Sequence, residues 1–204
     1  DLSDIKDSGV YQIKYEESVS PIFRIDNNIY DRGVWQPVLE YFLPVQMCHM
    51  RVNEKYRVWH DACHMDDAQM APAHNHIDGY DQKEGLSKFK PGEIVEGVNI
   101  GGWHDAGDFD LRIESQAGEC YILALAYEAF HPELDVTSID QINRITEIHQ
   151  ADGKNDLLQQ VENGALSVVN SYLALGRLYR GIIINYLRNF SKDIVSFYFI
   201  FRGN

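Results

Sequence analysis

Residues 101–110 read GGWHDAGDFD and gather one imidazole and three carboxylates, His104, Asp105, Asp108 and Asp110, behind a glycine pair and a tryptophan. Gly101, Gly102 and Gly107 open backbone angles closed to other residues, so the stretch is a shaped loop whose backbone aims its side chains. Carboxylates held this close repel one another, a cost most simply understood if the charges do chemistry. In Asp105 and Asp108, one carboxylate can accept a proton from water while the other orients that water. This is the base half of a hydrolytic site acting on an acetal. The simpler role for Asp108 or Asp110 is to cap a helix starting near residue 112. The oxygen-rich run D-A-G-D-F-D also offers ligands to calcium, although its spacing fits no EF-hand loop.

A second constellation lies in residues 58–68, VWHDACHMDDA. Cys63 and His64 are adjacent, His60 is near, and Cys48 with His49 stands upstream. Two thiolates with imidazoles are what a tetrahedral structural zinc uses, but the spacing matches no standard finger. Buried free thiols and a Cys48–Cys63 bridge are the alternatives.

These residues must be positioned by the elements around them. Residues 9–25 put Tyr11, Ile13 and Tyr15 on one face against Gln12 and Lys14, then turn through Glu16–Ser18 into a second extended run, the pattern of a β-hairpin. It reads as the end of a β-sandwich or as a decoration packed on the following domain. In residues 34–50, Val38, Leu39, Phe42, Val45 and Met47 recur at near-helical spacing, with Pro44 expected to kink or break the helix. Residues 51–113 show little periodicity and read as a long functional loop. Residues 114–130 are apolar almost all round and stop at His131-Pro132, predicting a buried helix. Further helices are predicted at 137–150 and at 156–180, the second with a possible split near Asn163-Gly164. The chain is thus expected to be mainly α-helical after residue 30. The run VSFYFIF at 195–201 would invite aggregation if uncovered and must pack on something, as the last core helix or strand.

The composition narrows the partners. A chain of 204 residues with 45% hydrophobic content can build a globular core. A net charge of -13 without a basic cluster argues against nucleic acid as a partner. Three cysteines, Cys48, Cys63 and Cys120, are too few for a disulfide scaffold. No export signal opens the chain, and its longest apolar run is too short to span a bilayer.

Taken together, the segments resemble glycoside hydrolase family 9, the inverting β-1,4-glucanases. The resemblance rests on Gln46, Met47 and Cys48, then His60, Cys63, His64, Asp67 and Ala68, then Gly101 to Asp108, and it covers residues 30 to about 180. It implies part of an (α/α)6 barrel over 27–204, with 181–204 atypical, preceded over 1–26 by the end of an immunoglobulin-like module. The substrate it implies is cellulose or a related β-glucan, with Asp108 as general base and Asp105 holding the attacking water. Trp103, His104 and Trp59 are then sugar contacts. Cys48, Cys63 and His64 carry over as ligands of a structural zinc that the chemistry itself does not need. His49 stands where glycine is usual, and the fourth ligand has no assignment. The opposing general acid, a glutamate in that family, has no matching segment after residue 180. The resemblance also implies a secreted, periplasmic or cell-surface setting. A carbohydrate-binding remnant without turnover is the alternative expectation.

Overall fold

The computed structural model describes residues 1–65, 67–75, 81–82, 87–105, 110–184 and 197–199. The chain divides into two compact units, Asp1–Val38 and Leu39–Asn204.

In the first unit the expected hairpin forms. Strand β1 (Gly9–Tyr11) pairs antiparallel with β4 (Phe23–Ile25), and β2 (Lys14–Tyr15) pairs with β3 (Ser18–Val19). Glu16 takes the left-handed conformation that so tight a turn demands, at φ 52°. Tyr11 stacks on Phe23 across the ribbon, with ring centroids 6.2 Å apart. Val10, Ile13, Tyr15, Val19 and Ile22 remain exposed.

The second unit mixes helices and small sheets, which overturns the mainly α, partial (α/α)6-barrel expectation. Two long helices, α2 (Ile113–Phe130) and α3 (Asp156–Leu175), pack on each other. The apolar stretch around Pro44 is helical over 36–46, where a π-helical segment at Val38–Phe42 passes directly into α1 (Leu43–Gln46); Pro44 stands in the first turn of α1, where its missing N–H is tolerated.

The segment read as loop contains β5 (Arg51–Glu54), β6 (Arg57–His60), β7 (Gln69–Met70), β8 (His74–Asn75), β9 (Asp81–Gln82) and β10 (Leu111–Arg112). The helix predicted at 137–150 is instead a hairpin of β11 (Thr137–Asp140) and β12 (Ile145–Ile148). There burial alternates: Thr137, Ile139, Thr146 and Ile148 face inward. That period of two belongs to a strand. The Asp140 carboxylate closes the turn by accepting from the Ile142 and Asn143 backbone N–H groups and the Asn143 side chain. One four-stranded sheet runs β11-β12-β5-β6, with β12 parallel to β5. A second runs β10-β13-β14-β7, where β13 is Gly181–Ile184 and β14 is Phe197–Phe199. The centre of VSFYFIF is therefore a strand, lying between β13 and β7.

Helix α2 stops at His131 before Pro132 as expected, but it is not buried all round. Gln116 is its one fully buried residue, while Tyr121, Ile122 and Phe130 are exposed. Helix α3 runs unbroken through Asn163-Gly164 because the glycine there has a packing role. A Cβ at residue 164 would lie 2.4 Å from both the Trp103 ring and Cys120 Sγ. Asn155 caps this helix by accepting from the Leu157 and Leu158 N–H groups. The principal core gathers Cys48, Ala68, Met70, Val95, Val98, Leu111, Tyr179 and Ile182.

Candidate metal centre

The glycine pair is required by close approach as well as by backbone angle. Gly101 and Gly102 have φ of 73° and 88°, and a Cβ on Gly101 would stand 2.2 Å from the Asn163 carbonyl oxygen of α3. That approach lets the Gly102 N–H donate to the same oxygen at 3.1 Å, while Asn163 Nδ2 donates back to the Gly102 carbonyl at 3.2 Å.

Trp103 then turns into the core, 2% exposed. Its indole N–H donates to Gln160 Oε1 at 2.9 Å, and its backbone N–H and carbonyl are both held by the Gln116 amide. The expectation that Trp103 stacks on a sugar is corrected: the ring is a wedge between helices with no face left for a ligand. With Trp103 anchored inward, the next residue, His104, is delivered to the other side of the backbone, its N–H bonded to the Gln46 carbonyl at 2.8 Å.

His104 completes a four-atom cluster with Cys48, Cys63 and His64, all donor atoms lying within 4.8 Å of one another. The two sulfurs are 3.9 Å apart, far beyond the ~2.05 Å of a disulfide, and all three cysteines are free. Cys48 Sγ lies 3.2 Å from His64 Nδ1, Cys63 Sγ lies 3.4 Å from His104 Nε2, and the two ring nitrogens are 3.2 Å apart. Zinc–sulfur bonds of ~2.3 Å and zinc–nitrogen bonds of ~2.05 Å at tetrahedral angles put such pairs ~3.8 Å (S–S), ~3.6 Å (S–N) and ~3.4 Å (N–N) apart. The edges agree to within a few tenths of an ångström. The residues therefore fit a four-coordinate metal of zinc type. A soft two-sulfur, two-nitrogen set does not suit calcium, which takes six to eight oxygens.

The electrostatics match a thiolate site. The Cys63 thiol is held far below its ordinary range, first by its contact with Cys48 and then by His104, His60 and His64, with burial opposing. Burial, followed by the neighbouring Cys63, pushes Cys48 well up. The two thiols are coupled through their mutual contact, and each also lies against an imidazole, Cys48 against His64 and Cys63 against His104. His60 is not a member of the cluster. Its ring contacts the Val45 and Asp61 carbonyls, and its pKa is raised chiefly by Cys63.

The carboxylate side lies next door. Asp105 is exposed and stands 3.5 Å from the Arg112 guanidinium, which also reaches buried Asp110 at 3.4 Å. The Asp105 N–H donates to the Asp110 carbonyl at 2.9 Å, closing the loop on itself. On α2, burial and then the charge of Asp105 raise the pKa of Glu119. Asp108 lies outside the described residues. Among the described residues, Asp105 and Asp110 belong to no cluster of close donor atoms. Trp59 is partly exposed, edge-on to Tyr41 and capped by the Arg57 guanidinium 5.0 Å from its ring.

The sequence reading missed His104 as the fourth member of the donor cluster, having placed it among sugar contacts. A histidine immediately before the acidic pair, in a chain that already offers two cysteines and His64, was the available signal. Arg112 was missed as well. Comparison with protein-family models, with curated proteins and with solved structures finds no match for this chain.

Proposed function

We propose that this chain supplies the general-base side of an inverting β-1,4-glucan hydrolase, and that a zinc ion held by Cys48, Cys63, His64 and His104 shapes the loop on which that chemistry depends. The observation that carries the reading is the adjacency of His104 and Asp105: one residue is a corner of a tetrahedral donor set, and the next is the carboxylate meant to hold water.

Four protein ligands leave a zinc ion no open position, so the metal contributes rigidity instead of Lewis acidity. Asp105 is kept in place by Arg112 and by the Asp110 carbonyl. In the reaction, water adds to the anomeric carbon as Asp108 takes its proton. An acid on the opposite face, ~6.5–9.5 Å away, donates a proton to the departing oxygen. The substrate contacts retained in this reading are Trp59 and the rim of the loop, because His104 belongs to the metal and Trp103 to the core.

The test uses the protein as its source produces it, with β-1,4-linked glucose oligomers. Cleavage that releases the inverted anomer first is expected, and Asp108→Asn should abolish it while sparing oligomer binding measured by calorimetry. Turnover retained in Asp108→Asn would remove the base assignment. Binding without turnover in the unaltered protein would favour a carbohydrate-binding role.

A further inference from the structure

The metal cluster rests on three separate stretches of chain, 46–49, 60–67 and 101–105, and something must hold them in register. His49 touches the other two. Its Nε2 is 2.9 Å from Asp67 Oδ2, and its Nδ1 is 3.2 Å from the Gly101 carbonyl oxygen. One imidazole thus bridges the Asp67 carboxylate and the Gly101 carbonyl. His49 is 1% exposed and Asp67 0%. Truncating either partner would leave the polar atoms of the other buried without their hydrogen bond.

Each end of this clamp is one short step from a ligand. His49 follows Cys48 directly. The Asp67 N–H donates to the His64 carbonyl at 3.2 Å, and Gly101 leads through Gly102, whose carbonyl accepts from the Cys48 N–H at 3.0 Å, to His104. The backbone also bends to suit. His49 and His64 have φ of 62° and 55°, left-handed values that side-chain-bearing residues hold only when their surroundings over-determine them. Among the described residues Asp67 Oδ1 has no hydrogen-bond partner, and a carboxylate oxygen of Asp67 lies within 4.8 Å of Cys48 Sγ and of a His49 ring nitrogen.

We propose that His49 and Asp67 form the outer shell of the metal centre, a buried clamp that presets the distances among Cys48, His64 and His104 and thereby sets metal affinity. This inference rests on the zinc reading above. In this reading both act as positioning residues around the four ligands Cys48, Cys63, His64 and His104.

The experiment measures zinc affinity of the full chain by chelator competition, and the visible spectrum of its cobalt(II) form, for the unaltered protein, His49→Gly and Asp67→Asn. Glycine accepts the left-handed angle freely, so His49→Gly removes the imidazole without adding backbone strain. Outer-shell loss typically weakens metal binding roughly 10–100-fold, and that fall is expected in His49→Gly, together with weaker, broadened tetrahedral cobalt bands. Asp67→Asn keeps the shape and one oxygen acceptor, so it remains informative if His49→Gly fails to fold, and a fall in affinity is expected there too. Leu157→Ala, a cavity change in α3 that involves none of the three stretches, should lower the metal-free melting temperature without moving affinity, separating the clamp from general stability. Affinity unchanged in the folded variants, or an equal fall in Leu157→Ala, would overturn the outer shell while leaving the metal centre standing. An unaltered chain that binds neither zinc nor cobalt tetrahedrally would overturn the metal centre and the outer shell with it.

Discussion

Replacing Gly101 by alanine probes how the loop is seated, and its cost can be worked from geometry. At φ 73° an alanine pays about 1–2 kcal/mol for the left-handed conformation alone. The new Cβ would also lie 2.2 Å from the Asn163 carbonyl oxygen, a backbone atom on α3 that cannot swing aside. Relief needs a shift on the order of an ångström, which breaks the buried bond from the Gly102 N–H to that oxygen and costs about 1–3 kcal/mol. The sum is about 2–5 kcal/mol.

Gly153→Ala is the matched control. Its φ is 82°, but nothing lies within 4 Å of the added Cβ, so only the conformational part, about 1–2 kcal/mol, applies. Urea unfolding followed by circular dichroism, with a chelator present to remove metal effects, compares the two midpoints at constant slope. Gly101→Ala is expected to be the more destabilising by about 1–3 kcal/mol, and to weaken zinc binding because His104 rides on the same loop. Equal destabilisation of the two variants, within about 0.5 kcal/mol, would refute the proposed seating of the loop against α3.

Cys63→Ser should weaken the thiolate charge-transfer absorption of the cobalt form, leaving the Cys48 contribution, and lower the zinc-loaded melting temperature towards the metal-free value; an unchanged melting temperature would count against a structural metal. Asp156, buried at the start of α3, has its pKa pushed up to about 6, first by burial, against the opposing hydrogen bonds from the Val136 and Thr137 N–H groups. Its folded pKa lies above the unfolded value of about 3.9. Its contribution to stability is therefore fully present below pH ~4 and lost as the pH rises to ~6. Asp156→Asn should flatten the stability–pH curve across that window, as measured by melting temperature at pH 4, 5, 6 and 7, and an unaltered slope would remove the assignment.

Part of this architecture was legible from residue order. Turn-forming residues and alternation in 9–25 marked the first ribbon, and His131-Pro132 marked the end of α2. What failed was periodicity over apolar stretches whose partners lie far away. Thr137–Ile148 contains enough apolar residues to satisfy a helical template loosely, and only the pairing of β12 with Arg51–Glu54 makes the period of two decisive. Likewise α2 looks buried because its composition is apolar, whereas burial depends on what packs against each face, and in this structure Tyr121, Ile122 and Phe130 face outward.

For the site, the residue types were readable because chemistry restricts them: two thiols and several imidazoles offered a soft donor set, and the structure brings four of those donors together. Their partition was not. His104 and Trp103 are neighbours in the chain, and sequence alone assigned both to substrate. The backbone sends one to the cluster of sulfur and nitrogen donors and the other into the core, because Gly164 leaves room for an indole on one side and the Gln46 carbonyl fixes the backbone on the other. The sequence by itself determined which ligands and acids exist and that the loop needs glycine. Only the tertiary structure decided which donor atoms meet, since the distances among Cys48, Cys63, His64 and His104 are set by three segments up to 56 residues apart, held together by hydrogen bonds that no local pattern encodes.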